Sequence, residues 1–525
     1  MRDIKKLFSV ILAIVFICVW CSGCTTSFSD STYEVKFISS ALSLEDEETK
    51  TLPLKYTKDG KTGDWSELEF LSEDPKVATV SDEGKVTGVA AGTTTIKARI
   101  STVEASITVH VTMRERKVVI SGQNIGLYVG EGAQITAQAY VGQEIDATAV
   151  ITYESLNPTV ATVSPTGYVT AVAIGGATIK AIWGDYSDKM TVDVITQATA
   201  EQVNSFSENY INIYGRSYIE NNKLNIDHTA GAVELGIIGT SLTVNMEASE
   251  ASWMRVYVDG STIGERINIM PTTNQYVVAS GLSEGYHKIR MVKATEMRDA
   301  TWDIVSFTAD AFAVIPEKSN LRIEFVGDSI TSGYGVLGMS GDMRTIDNSD
   351  ATQTYAYLTA QNLGADYSTI AFHGICAKQF MWGNDINMDT LYHRVSLSNT
   401  ATYNGSFNPD VIVINIGTND ASYLGSNNSY VIEVVADYTE FIGNIRAVNP
   451  NAHIICLYGM MGSNAVISNA IKSVVSTMTT KGDNKIVYNP IDISANSSGA
   501  ANHPDVTANV NWANALSAYI TTIVD

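Results

Sequence analysis

A chain of 525 residues is longer than one hydrophobic core can organise, so it should fold as three or four domains, each large enough to stand alone. With 45% hydrophobic and 17% charged residues it has the composition of a globular protein, and its many Gly, Thr, Val and Tyr residues favour strands. A formal charge of -22, with no basic stripe beyond the first residues, argues against a nucleic-acid partner, because phosphate binding needs clustered Lys and Arg.

At the N-terminus, Arg2, Lys5 and Lys6 precede an apolar run from Leu7 to Trp20, and small residues then lead to Cys24. This is the pattern of an export signal, too short for a comfortable membrane span. Cys21-Ser22-Gly23-Cys24 resembles a bacterial lipobox, although Leu is usual where Cys21 stands. The resemblance implies a lipoprotein signal over 1–24, with Cys24 lipidated and the mature protein anchored outside the cell; an ordinary secretory signal is the alternative. Cys376 and Cys456 lie among apolar residues and read as small buried hydrophobes, and a disulfide between them is possible but not deducible.

An internal repeat follows. Pro75, Val77-Ala78-Thr79-Val80-Ser81, Gly84, Val86-Thr87, Gly92 and Thr95-Ile96-Lys97 recur at a constant offset of 83, from Pro158 to Lys180. Each copy is a series of short alternating runs broken by Gly, Pro, Asp and Asn, so two β-sandwich repeats are expected, over 33–112 and 117–196. The repeated phrase resembles the group 2 bacterial immunoglobulin-like domains, which implies a spacer, with carbohydrate or protein binding as the sharper alternative. From 206 to 315 the strand character continues without the repeat. Leu242-Thr243-Val244-Asn245-Met246 and Arg255-Val256-Tyr257-Val258 alternate, and Asp259-Gly260 signals a hairpin, which fits a jelly-roll β-sandwich.

Over 320–525 the texture changes to an α/β domain. Apolar runs at Ile323–Val326, Val411–Ile416 and His453–Leu457 alternate with helical stretches at Ala351–Leu363, Ser429–Val448, Ala465–Thr479 and Asn509–Ile523. This alternation predicts a three-layer fold with a parallel sheet, whose ligands sit at the carboxyl ends of the strands.

Chemistry-bearing residues stand at those strand ends. Ser329 follows an apolar strand through Gly327-Asp328 and opens a short helix, where free N–H groups can stabilise a negatively charged oxygen. Gly374 lies at another strand exit and lets a backbone N–H approach a ligand closely. Asn419, in Gly417-Thr418-Asn419-Asp420, offers a side-chain amide after the third strand, although Asn is also an ordinary turn residue. His503, before Pro504, supplies an imidazole that can take a proton from a serine hydroxyl and return it to a leaving oxygen.

Together, Gly327-Asp328-Ser329, Gly374, Gly417-Thr418-Asn419-Asp420 and His503-Pro504 resemble the four blocks of the SGNH (GDSL) hydrolases. That resemblance implies Ser329 as nucleophile, His503 as general base and acid, and an oxyanion hole from Ser329 N–H, Gly374 N–H and Asn419. Tyr214-Gly215-Arg216, Val258-Asp259-Gly260 and Gly285-Tyr286-His287-Lys288-Ile289, joined to the serine strand, resemble carbohydrate esterase family 2 over 206–525. This implies an extracellular esterase removing O-acetyl groups from xylan- or mannan-type polysaccharide.

One position departs from the SGNH pattern. The Asp that often precedes the His by three residues is Ala500 here, so a Ser-His dyad with a main-chain acceptor is expected; Asp505 reads as an acidic first-turn residue of the last helix. Sugar rings would stack on aromatic faces, for which Trp382, Tyr334 and Trp512 are candidates. No cofactor is expected, and no zinc-ligand cluster such as His-Glu-x-x-His occurs in the sequence. The rival readings are an SGNH esterase acting on other bacterial glycans or lipids, and a non-catalytic surface adhesin.

Overall fold

The computed structural model describes residues 31–121, 124–196, 202–203, 206, 211–315 and 318–524. The expected export signal over 1–24, with Cys24, lies outside these residues. The chain divides into two compact units, Met1–Arg116 with Val141–Gln143, and Lys117–Tyr140 with Glu144–Asp525.

In the first unit a long hairpin, Gly92–Ile100 and Val103–Thr112, forms the centre of a four-stranded sheet. Ala41–Glu45 runs parallel to its second arm and Glu69–Ser72 antiparallel to its first. Period-two alternation buries Ile96, Ala98, Ile107, Val109 and Val111 on one face. In the second repeat, Gly175–Trp183 and Tyr186–Ile195 build the same sheet order with Asn124–Tyr128 and Thr152–Ser155. Ile179, Ala181, Val192 and Val194 are buried at the corresponding positions. The 83-residue sequence offset is thus a structural one, Gly92 to Gly175.

Next comes a β-sandwich, with eleven hydrogen-bonded strands among the described residues. Its spine is the 17-residue strand Ala232–Ala248, which pairs with Tyr286–Lys293 and Trp302–Ala313 and shifts register between Ile238 and Leu242. The second repeat rests on this sandwich. Tyr286 Oη donates to Asp193 at 3.0 Å and Lys288 Nζ lies 3.0 Å from the same carboxylate. Gly126 leaves room for the Tyr286 ring, since a Cβ there would come within 2.3 Å of it.

The C-terminal domain is a parallel sheet between helices. Its strands are β1 (Arg322–Gly327), β2 (Asp366–Ala371), β3 (Val411–Asn415), β4 (His453–Leu457) and β5 (Ile486–Tyr488), in the spatial order β2-β1-β3-β4-β5. The helices are α1 (Ser329–Ser332), α2 (Tyr355–Leu363), α3 (Met388–Tyr392), α4 (Thr418–Ser426), α5 (Tyr430–Val448), α6 (Ala465–Thr480) and α7 (Val506–Thr521). Alternate strand residues feed opposite cores. Val326, Ile412 and Ile414 pack with residues of α3, α5 and α6, whereas Phe325, Val411 and Val413 pack with α2 and α7. The strand order reverses between β1 and β3, so loops on either side of β1 leave a crevice at the carboxyl edge, where ligands of such sheets sit. Among the described residues, no helix is long and apolar enough to cross a membrane. Cys376 and Cys456 are both free and buried.

Candidate active site

Three consecutive strand neighbours, β2, β1 and β3, lead to Gly374, Ser329 and Asn419 in that crevice, and the turn before α7 brings His503. Ser329 follows β1 after the single residue Asp328 and is the first residue of α1, and the Asp328 side chain caps the helix by accepting from Ile330 N–H at 3.0 Å. Ser329 retains 5% exposure, so its hydroxyl sits in a nearly dry site.

The Ser329 hydroxyl donates to His503 Nε2 at 2.7 Å. On the other side of the ring, His503 Nδ1 donates to the Ala501 carbonyl oxygen at 3.0 Å. A carbonyl can only accept, so the ring proton belongs on Nδ1 and Nε2 is free to accept from serine. Ala501 and Asn502 both adopt left-handed backbone, with φ of 51° and 60°, and this turn aims the carbonyl at the ring. Burial lowers the His503 pKa below its usual 6.5, against the opposing pull of the Ala501 hydrogen bond and the Glu296 charge. The ring is therefore neutral, as a proton acceptor must be.

Ala500 is fully buried, and its Cβ fills the space beside Gly335 and Gly338; a Cβ on Gly338 would come within 2.5 Å of it. The position of the missing triad carboxylate is thus filled by packing. Asp505 caps α7 instead, accepting from Ala508 N–H at 2.8 Å.

Gly374 lies three residues beyond β2 with φ of 76°. A Cβ there would come within 3.1 Å of Asn384 Nδ2 and 3.3 Å of the Trp382 ring, so a side chain would be both strained and crowded at this strand exit. Asn419, in the first turn of α4, donates one amide hydrogen to Ile375 O at 3.0 Å. That bond orients the amide and leaves its second hydrogen to point elsewhere. Beneath these groups lie two buried carboxyls. Burial, reinforced by the Asp420 charge, pushes Asp328 up to about 7, and burial pushes Asp420 up to about 6. Asp420 accepts from Ala377 N–H and from Tyr430 Oη at 3.1 Å, which ties α4 to the loop after β2.

Of the three aromatic candidates, two border the site. The Tyr334 ring lies 4.6 Å from the His503 ring and 5.1 Å from that of His373, and Trp382 is 66% exposed beside Gly374. Trp512 does not belong with them. It is 3% exposed within the core that joins α7 to the sheet, because it lies on the helix face that packs inward.

Sequence reasoning also missed a neighbour of the site. Glu296, from the sandwich, contacts His373 Nδ1 and accepts from His373 N–H at 2.9 Å and from the Ser332 hydroxyl at 2.9 Å. No local motif flags it, since it belongs to a different domain from the serine.

Profiles of known families match this chain in three places. Residues 325–515 match the GDSL-like lipase/acylhydrolase family, 213–316 the carbohydrate esterase 2 N-terminal family, and 36–111 and 126–194 the group 2 bacterial Ig-like domain. A cellulase/esterase of Acetivibrio thermocellus is 29% identical over 298 residues, covering 55% of this chain and 36% of that protein. The chain thus spans about a third of that relative's length. An acetylxylan esterase / glucomannan deacetylase of Cellvibrio japonicus is 26% identical over 306 residues, covering 55% of this chain and 82% of that protein. The solved structure of a family two carbohydrate esterase from Clostridium thermocellum, in complex with cellohexaose, superimposes with a TM-score of 0.55 at 27% identity, covering 60% of this chain and 98% of that one. Behind two regions that match the group 2 bacterial Ig-like domain, the chain therefore matches in tandem the carbohydrate esterase 2 N-terminal and GDSL-like lipase/acylhydrolase families, and is similar over that stretch to family two carbohydrate esterases.

Proposed function

We propose that this protein is an exported serine esterase that removes O-acetyl groups from polysaccharide of xylan or mannan type. The observation that carries the reading is the relay from Ser329 Oγ through His503 to the Ala501 carbonyl, at 2.7 and 3.0 Å. It is supported by the relatives, among which an acetylxylan esterase / glucomannan deacetylase is named.

The reaction runs in two halves. His503 Nε2 takes the Ser329 proton as the serine oxygen attacks the acetyl carbonyl carbon. The tetrahedral oxyanion is held by Ser329 N–H, Gly374 N–H and the second Asn419 amide hydrogen, donors fixed before the charge develops. Collapse breaks the bond to the sugar oxygen, which leaves with the proton from His503. Water then gives its proton to His503 and attacks the acyl-enzyme, releasing acetate and restoring the serine. The Ala501 carbonyl keeps the ring in the correct tautomer throughout and stabilises the imidazolium, the part played by a carboxylate in a triad. The exposed Trp382 face and Tyr334 flank the acyl site, where they would receive the sugar.

Acetate release from xylan, glucomannan and bacterial glycans tests this reading. Release from the plant polysaccharides, abolished in a folded Ser329→Ala variant, is expected; release from bacterial glycans alone would favour the rival substrate class, and an unchanged rate in Ser329→Ala would end the assignment. For localisation, we propose lipid anchoring at Cys24. Incorporation of a labelled fatty acid, lost in Cys24→Ala, is the expected result, and cytosolic retention of the unmodified chain would refute it.

A further inference from the structure

We propose that Glu296, delivered by the β-sandwich, is a positioning residue of the esterase site that fixes the oxyanion loop after β2 against the nucleophile helix α1. The inference rests on the Ser329 reading above.

One carboxylate ties two of the elements that the chemistry must keep in register. Its Oε2 accepts from His373 N–H and from the Ser332 hydroxyl, each at 2.9 Å, and its Oε1 meets His373 Nδ1. His373 precedes Gly374, so holding its main-chain N–H and its ring sets the orientation of the peptide that presents Gly374 N–H. Ser332 closes the four-residue helix that begins at Ser329, and its hydroxyl also contacts Ser329 O at 3.1 Å. The Tyr334 ring, between those of His373 and His503, links the same carboxylate to the base.

Glu296 is itself held rigidly. It is 2% exposed, and Lys293 Nζ donates to its carbonyl oxygen at 2.8 Å. The next residue, Met297, plugs the hydrolase core beside Val326 and Phe372. Met297 N–H donates to Thr229 Oγ1 at 3.1 Å, and that hydroxyl donates to Ala371 O, at the end of β2, at 2.6 Å. Burial alone would raise the Glu296 pKa, but the bonds and charge of His373 and the Arg344 guanidinium at 3.9 Å hold it below the usual carboxylate range. An apolar side chain would avoid the desolvation cost but leave the His373 main-chain N–H and ring nitrogen unpaired at the edge of the site, with the Ser332 hydroxyl thrown back on Ser329 O.

The test is steady-state kinetics on an aryl acetate with Glu296→Ala, Glu296→Gln, His373→Ala and the double variant Glu296→Ala/His373→Ala, each checked for folding by thermal melting. Misaligned oxyanion donors lower the turnover of bound substrate, so kcat in Glu296→Ala is expected to fall on the order of tenfold to a hundredfold with KM within about threefold of wild type. Glu296→Gln should recover part of the loss, because its amide oxygen still accepts from His373 N–H and Ser332. His373→Ala keeps the main-chain bond and should lose less than Glu296→Ala, and the double variant should lose no more than Glu296→Ala alone. Unchanged kcat in folded Glu296→Gln and His373→Ala, or a change confined to KM, would overturn the inference even if Glu296→Ala failed to fold. A wild-type protein without esterase activity, or an active Ser329→Ala, would instead defeat the Ser329 reading, and is visible before any Glu296 variant is made.

Discussion

Ala501 turns its carbonyl oxygen to within 3.0 Å of His503 Nδ1, from a left-handed backbone conformation that is uncommon for a residue with a side chain. The imidazole therefore has a partner that cannot be titrated. A carboxylate in that position would raise the ring's pKa through its charge; a carbonyl orients the ring with far less electrostatic pull, and burial lowers the pKa instead.

The pH dependence follows from that sign. A base with a lowered pKa is still neutral under mildly acid conditions, so the acid limb of kcat/KM should have its midpoint below the usual histidine value of 6.5. Initial rates on an aryl acetate across the acid range check this. A limb centred above 6.5 would mean that a negative charge governs the ring.

Restoring the triad by substitution should fail. Ala500 is buried against Gly335 and Gly338, and its own N–H donates to Gly335 O at 2.9 Å, so Ala500→Asp forces a carboxylate into filled space. The expected cost is on the order of 2–4 kcal/mol in denaturant-induced unfolding, with no gain in kcat. A stable variant of higher activity would show that the pocket can open to admit the carboxylate.

Trp382 offers a separation of binding from chemistry. Its exposed ring is not part of the core, so Trp382→Ala should leave the melting temperature nearly unchanged. KM for acetylated polysaccharide should rise on the order of tenfold, the loss of one stacking anchor, while turnover of a small aryl acetate changes little. Equal losses on both substrates would place the ring's effect on the Gly374 loop instead of on the sugar.

The parts of the site carried by short contiguous signals were legible in the sequence. An apolar strand running into Gly327-Asp328-Ser329 reads as a strand-to-helix turn wherever it occurs, and His503-Pro504 ahead of an apolar-periodic segment marks the start of a helix. The repeats were equally plain, because an offset of 83 preserves both turn glycines and alternation. Features that depend on backbone conformation or on another domain were not. The Ala501 carbonyl acts through two left-handed residues that carry no glycine to announce them, and Glu296 reaches the site across a domain boundary. Helix α4 was hidden because Gly417-Thr418-Asn419-Asp420 has turn chemistry, and β5, at three residues, is too short to show a period. By residue type Trp512 reads as a sugar platform, whereas its place on α7 turns it into the core.

Covalent labelling bears most directly on the central claim, that Ser329 is activated by His503. An aryl organophosphate incubated with the full-length protein, followed by mass-spectrometric mapping, should modify Ser329 alone, with the rate of labelling reduced on the order of a thousandfold or more in His503→Ala. Labelling at any other serine, or an equal rate in the folded His503→Ala variant, would contradict it.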